Sequence, residues 1–174
     1  MKWIAKASAI FMLASTAFAD EVEITLVDEL DGDLNSYCLD ISGGLGANAD
    51  PTRGLQAHTC YSYRGALEVD QIFETDRFAD NLLYMTRFGV CATVMGNEIG
   101  LTACDPNNEA QQITYSKDGT LRPLSAADQC LTAGEDTRLG RGGTSRHQIK
   151  SLTLEECSET RVPYQIWRFR TEDD

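Results

Sequence analysis

YQIWRF, Tyr164–Phe169, stands just before the acidic run TEDD and sets a glutamine two residues ahead of a tryptophan. It has relatives in the same chain. VDQIFE places Gln71 two residues before Phe73, and AQQITY places Gln112 before Thr114 and Tyr115. The cysteines keep the same beat. CLD at Cys38, CAT at Cys91 and CLT at Cys130 open three units, and an alternating segment ending in cysteine closes each: LQAHTC at Cys60, LTACD at Cys104, LTLEEC at Cys157. The order Cys, Cys, Gln-x-aromatic therefore recurs three times. A period of this kind marks a structure built from repeated supersecondary units.

The start of the chain reads as a leader. Lys2 and Lys6 precede the apolar and small-residue run Ala7–Ala17, and Ala17-Phe18-Ala19 has the small-x-small pattern of a signal-peptidase site. Met1–Ala19 is expected to be a signal peptide, leaving 20–174 as one domain, either periplasmic or secreted. All six cysteines lie in the exported part, where an oxidising compartment favours disulfides. Six cysteines permit many pairings. Pairing within units is the economical one because it repeats with the sequence: Cys38–Cys60, Cys91–Cys104 and Cys130–Cys157. Each then closes a loop of roughly 14 to 28 residues, worth on the order of 3 kcal/mol.

The class is all-β. Leu82–Val94 and Leu121–Thr132 each read as two short strands joined by a turn, and DGT at Asp118–Thr120 is a tight-turn signal. Ser42–Asp50 and Arg138–Ser145 are glycine-rich and polar and read as loops. No segment keeps a 3.6-residue apolar period over helical length, and Arg64–Asp70 holds a helical turn at most.

Three units with CLD or CLT, an alternating strand ending in Cys, and Gln-x-Trp resemble the ricin-type lectin β-trefoil over nearly the whole exported chain, in repeats of about 24–76, 77–116 and 117–170. The resemblance implies a pseudo-threefold β-trefoil with one disulfide per repeat. It also implies that Gln-x-aromatic is structural. Phe73 and Trp167 then belong to the core, with Gln71, Gln112 and Gln165 as amides that satisfy backbone groups; leaving such an amide unpaired costs about 1–3 kcal/mol.

The resemblance further implies what a sugar site needs: the Asp of CLD, a strand glutamine, an aromatic two residues before the second Cys, and an Asn-Gln pair before the aromatic element. Few fixed polar groups beside an apolar platform suit a sugar ring. Unit one keeps most of this in Asp40, Gln56, His58 and Gln71, with Asp70 in place of asparagine. His58 is a smaller, more polar platform whose charge switches near pH 6. Asp70 adds a second carboxylate, which favours a cation or an amino sugar, or protonation of one of the pair. Tyr61 and Tyr63 offer alternative stacking surfaces. Unit two departs at Thr93, Gly100 and Thr102, and unit three at Thr132, Thr153, Glu155 and Tyr164, so at most one site of the family type is expected. The bland reading stays open, in which Asp40 caps a turn and His58 is an exposed strand residue.

With 15 Lys+Arg against 27 Asp+Glu the net charge is −12, which disfavours nucleic acid and anionic membrane surfaces as partners. Arg138, Arg141, Arg146, His147 and Lys150 form a basic cluster that can hold a sulfate, a uronate or an acidic partner. The ordinary reading, a solvated loop that offsets nearby acids, is preferred. Neither histidine has metal-ligand spacing, Gly-x-Ser-x-Gly is absent, and SGGLG at Ser42 precedes no helix, so no catalysis, metal or cofactor is expected. The expected function is weak saccharide binding by a monomer, with Asp40 accepting from hydroxyls and His58 as platform. A lone shallow site of this kind binds at about millimolar strength, near −4 kcal/mol. The alternative is a trefoil that has lost its sugar and meets a protein partner, as an inhibitor or in envelope assembly.

Overall fold

Short alternating segments separated by turn residues give strands here, and the structure, a computed structural model, describes residues 20–65 and 67–171, excepting the side chains at 63 and 64. The expected leader, Met1–Ala19, lies outside the described residues. Unit one supplies β1 (Glu21–Leu26), β2 (Tyr37–Ile41), β3 (Leu55–Thr59) and β4 (Ile72–Glu74). Unit two supplies β5 (Tyr84–Met85), β6 (Val90–Met95), β7 (Glu98–Ala103) and β8 (Ile113–Tyr115). Unit three supplies β9 (Leu121–Pro123), β10 (Gln129–Ala133), β11 (Arg138–Leu139), β12 (Gln148–Lys150), β13 (Leu152–Glu156) and β14 (Trp167–Arg170). The described helices are single turns or short 3-10 segments, so the chain is all-β, and none is long and apolar enough to cross a membrane.

Every strand pairing is antiparallel, and β1 joins β14 in the register Leu26↔Trp167 through Glu23↔Arg170, which brings the first strand against the last. A buried ion pair fastens this seam. Arg170 donates from Nη2 at 2.7 Å and from Nε at 3.1 Å to Glu23 Oε2, and Glu23 has no exposure. Three hairpins, β2–β3, β6–β7 and β10–β13, share one register: Tyr37↔Thr59, Val90↔Ala103 and Gln129↔Glu156. A cysteine follows each of these six residues, so the common register places the sulfurs of one hairpin together. The disulfides are Cys38–Cys60, Cys91–Cys104 and Cys130–Cys157, the pairing within units that the repeat implies.

The middle residues of CLD, CAT and CLT (Leu39, Ala92 and Leu131) point into one core with Phe73, Ile113 and Trp167, all essentially solvent-free. Small and large residues at equivalent places let three non-identical units fill a shared interior. Trp167 keeps its indole N–H bonded to the Leu131 carbonyl at 2.9 Å, which lets a polar atom be buried without cost. The DGT turn forms as expected: Asp118 Oδ1 accepts from Thr120, and Gly119 takes φ +85°, where a Cβ would meet Ile166 Cγ2 at 2.8 Å.

The three structural glutamines are Gln71, Gln111 and Gln165. Each donates to the third residue of its Cys motif (Asp40, Thr93, Thr132) and to the carbonyl before its second Cys (Thr59, Ala103, Glu156). Each accepts from the N–H that follows that Cys, in Tyr61, Asp105 and Ser158. The expectation for Gln112 is thereby corrected by one residue: Gln112 reaches only the Pro106 carbonyl, at the surface. With Gln111 as the amide, the core residue two positions on is Ile113, which is buried, while Tyr115 is exposed. An aliphatic residue in the aromatic place hid the register from the motif.

Arg138–Ser145 is likewise more than a loop. It begins with β11 and turns through Gly140–Gly143, so that β11 pairs with β12 and β12 continues onto β3.

Candidate functional site

Strand alternation assembles the unit-one residues. Asp40 and Gln56 face each other across β2–β3, and His58 lies two residues along the same face of β3. Gln56 Nε2 donates to Asp40 Oδ1 at 2.8 Å and Gln71 Nε2 donates to Oδ2 at 2.9 Å. His58 Nδ1 lies 4.0 Å from the same Oδ2 and donates to the Thr59 carbonyl at 2.8 Å. Asp70 is as buried as Asp40. Its Oδ2 accepts from the N–H groups of Gly46 (2.9 Å) and Leu45 (3.4 Å), holding the 42–50 loop, while Oδ1 is buried with no partner among the described residues. Burial pushes the Asp40 carboxyl up to about 8, the Asp70 charge adds to the rise, and the two glutamine amides oppose it.

Two insertions build a cleft in front of this network. In unit two the hairpin turns tightly, pairing Met95 with Glu98. Unit one instead carries 42–54 between its paired strands, and unit three carries 134–151, including β11 and β12. Because Ile149 pairs with His58, the unit-three insertion lies against the unit-one strand. The cleft between them has a volume of about 590 Å³ and is lined by Gln56, His58, Tyr61, Arg138 and His147 among others. A second cavity of about 400 Å³ adjoins it and shares Arg53, Gln56 and Arg138.

The cleft wall combines rings with cations. His58, Tyr61 and His147 form a mutual cluster with centroids 5.1, 5.2 and 5.3 Å apart. Arg138 Nη2 donates to Gln56 Oε1 at 3.1 Å, so a chain of hydrogen bonds runs from the unit-three hairpin through Gln56, Asp40 and Gln71 to the Tyr61 N–H. A network in which every member has a partner holds its groups in one geometry.

Of the residues expected to bind a sugar, Gln56 and His58 line the cleft, whereas Asp40, Asp70 and Gln71 lie behind it with no exposure. Asp40 has no exposed surface, and each of its oxygens accepts from one amide. It positions Gln56. His58 is 4 % exposed and shares the ring surface with Tyr61 and His147. The side chain of Tyr63 lies outside the described residues.

The basic cluster is divided by the fold. Arg138, Arg141 and His147 line the cleft; Arg146 pairs with Asp33 at the surface; Lys150 is buried, bonded to Asp31 and the Glu135 carbonyl at 3.0 Å each and to Thr137 Oγ1 at 2.6 Å. Reading the cluster as a solvated loop is thus corrected for Lys150, and its link to the unit-one site was missed. The available signal was spacing: the Cys–Cys separations of 22 and 27 in units one and three, against 13 in unit two, show insertions but not where they meet. Glu23, Cys38 and Cys60 also lie close together, but the sulfurs are bonded to each other and Glu23 to Arg170, so they are not a metal site.

The family model of the ricin-type beta-trefoil lectin domain matches residues 81–174. No curated protein gives a significant sequence match. Among solved structures, the earthworm lectin C-terminal domain mutant in complex with 6'-sialyllactose superposes with a TM-score of 0.59 at 18% identity, covering 87% of this chain and 98% of that one. The Vibrio vulnificus hemolysin/cytolysin β-trefoil lectin with N-acetyl-D-lactosamine bound gives 0.57 at 16% identity, covering 89% and 96%. The Haemophilus ducreyi cytolethal distending toxin gives 0.55 at 16% identity, covering 94% and 89%. At these identities the likenesses speak for the fold.

Proposed function

The chain belongs to the ricin-type β-trefoil lectin family, and from that premise we propose that it is a non-catalytic saccharide-binding protein with one site, the cleft of unit one. The observation that carries this reading is the joining of Gln56, held rigid by buried Asp40, to the ring cluster of His58, Tyr61 and His147 along one wall. Fixed polar groups beside ring surface are what a pyranose needs. The corresponding places in the other units are self-satisfied: Thr93 bonds Thr102 at 2.8 Å, and Thr132 bonds the Cys130 carbonyl and accepts from Gln165. The saccharides held by the earthworm and Vibrio domains support a sugar as the ligand class. Three disulfides fit an exported protein.

One observation favours a second reading, a trefoil that meets a protein instead: the Asp40 carboxylate is sealed from the cleft. Amide NMR spectra of the oxidised protein, recorded against neutral, amino and acidic saccharides, separate the two. The proposal expects saturable shifts centred on Gln56, His58, Tyr61 and Arg138, lost in Gln56→Ala with the remaining spectrum intact. Absence of shifts into the tens of millimolar, well past the ~1 mM scale of a weak site, refutes it in favour of a protein partner.

A further inference from the structure

We infer that the unit-one cleft selects an anionic saccharide, one bearing a carboxylate or a sulfate, seated by the guanidinium groups of Arg53, Arg138 and Arg141; the inference rests on the saccharide reading of the same cleft.

The distribution of charge is the first ground. In a chain of net charge −12, the other guanidinium groups that form ion pairs do so with nearby carboxylates: Arg77 with Asp80, Arg122 with Asp118, Arg146 with Asp33, Arg161 with Glu135 and Glu155, and Arg170 with Glu23. Arg53, Arg138 and Arg141, like Arg87 and Arg168, form no ion pair among the described residues, and these three line the cleft. Glu68 is the carboxylate that shares this lining. Asp40 and Asp70 lie behind the wall, and burial, with the Asp70 charge beside it, pushes the Asp40 carboxyl up to about 8. The pair of carboxylates that in sequence favours a cationic or amino sugar therefore lies behind the cleft lining and not in it.

The second ground is that the backbone and Gln56 set where the cations start. Arg138 is fixed by Gln56, which is itself fixed by Asp40. Gly43, at φ +104°, lets the Arg53 guanidinium lie against the main chain; a Cβ there would stand 2.5 Å from Arg53 Nη1. Arg141 adopts φ +50° at the hairpin tip, a conformation that non-glycine residues rarely take, and the turn around it is closed by the Ser145 N–H donating to the Gly140 carbonyl.

The third ground is the balance of donors and acceptors. Neutral sugar hydroxyls are best held by carboxylate or amide oxygens, yet Asp40 has no exposure, the Gln56 oxygen already accepts from Arg138, and Glu68 is one carboxylate against three guanidinium groups in the lining. What the wall offers is donors in a planar fork, the geometry that matches a carboxylate or sulfate bidentately. The ring cluster beside them accounts for a sugar body as well as an anion.

Calorimetric titration of galactose, galacturonate, galactose 6-sulfate and inorganic sulfate into the oxidised protein tests this, since the three sugars share a ring and differ in charge. The expected result is binding of one or both acidic sugars at least about tenfold tighter than galactose, weakened by added salt, and reduced about tenfold in Arg141→Gln. The stronger of the two acidic sugars tells carboxylate from sulfate. Arg141 is exposed, so its substitution leaves the fold in place, which an unchanged melting temperature verifies. Equal affinity for galactose and its acidic forms overturns the anionic inference and leaves the saccharide reading standing. Inorganic sulfate binding as tightly as the sulfated sugar also overturns it, because the ring then contributes nothing. If no compound binds, the anionic inference falls and the NMR panel decides the saccharide reading.

Discussion

Replacing Lys150 by methionine tests whether the unit-three hairpin is anchored or merely rests on unit one. The Lys150 side chain is 2 % exposed, and its ammonium bonds Asp31 at 3.0 Å, the Glu135 carbonyl at 3.0 Å and Thr137 Oγ1 at 2.6 Å, lying 5.1 Å from the Tyr37 ring centre. Methionine keeps the length and apolar stem but removes all three donors. Breaking a fully buried pair costs about 3–5 kcal/mol. Asp31 is 51 % exposed and regains water, so the loss is reduced. The carbonyl and hydroxyl still lose a charged donor, and about 2–3 kcal/mol remains. Chemical denaturation at pH 7 measures the total, and amide exchange at Leu139, Gln148 and Ile149 locates it. A pH series adds a sign. Burial alone would raise the Asp31 pKa, but bonds from Thr137, Lys150 and Tyr37 hold it down at about 2. A depressed carboxyl stabilises above its unfolded value near 4, and that contribution disappears as pH falls through about 2. The gap between wild type and Lys150→Met should therefore narrow over that window. A loss below about 0.5 kcal/mol with unchanged exchange in the hairpin refutes the anchor.

Gln111→Ala should destabilise by about 1–3 kcal/mol, since it takes the acceptor from the Asp105 N–H and the amide donor from Thr93, Thr102 and the Ala103 carbonyl. Gln112→Ala should stay within about 0.5 kcal/mol, and equal effects in parallel melts would restore the register expected from the motif. For Asp40 the sign is opposite to that of Asp31. Its raised pKa makes the folded state hold the proton, so stability is greatest below the unfolded value near 4 and declines until about pH 8. Asp40→Asn should lack this decline in urea midpoints measured from pH 4 to 8. Parallel slopes would mean that Asp40 is already ionised in the folded protein.

Repeat order and cysteine spacing were enough to read a trefoil, because a core shared by three units demands the same apolar and disulfide marks in each. The resemblance to ricin-type lectins grouped Asp40, Gln56, His58 and Gln71, and strand alternation in one hairpin sets the first three on one face. Gln111 escaped because Ile113 fills the aromatic place, and core packing accepts any side chain of suitable volume. What only tertiary structure decided lies between units. Which strand the Arg138–Lys150 hairpin would pair with depends on long-range hydrogen bonds that leave no period in the sequence. Its docking on β3 buried Lys150, laid Arg138 on Gln56 and brought His147 to His58. Within unit one, the approach of Gln71 to the β2–β3 hairpin closed Asp40 behind amides. Charge and burial are properties of surroundings, so the cleft's cationic front and its buried carboxyl floor are visible only in the folded chain.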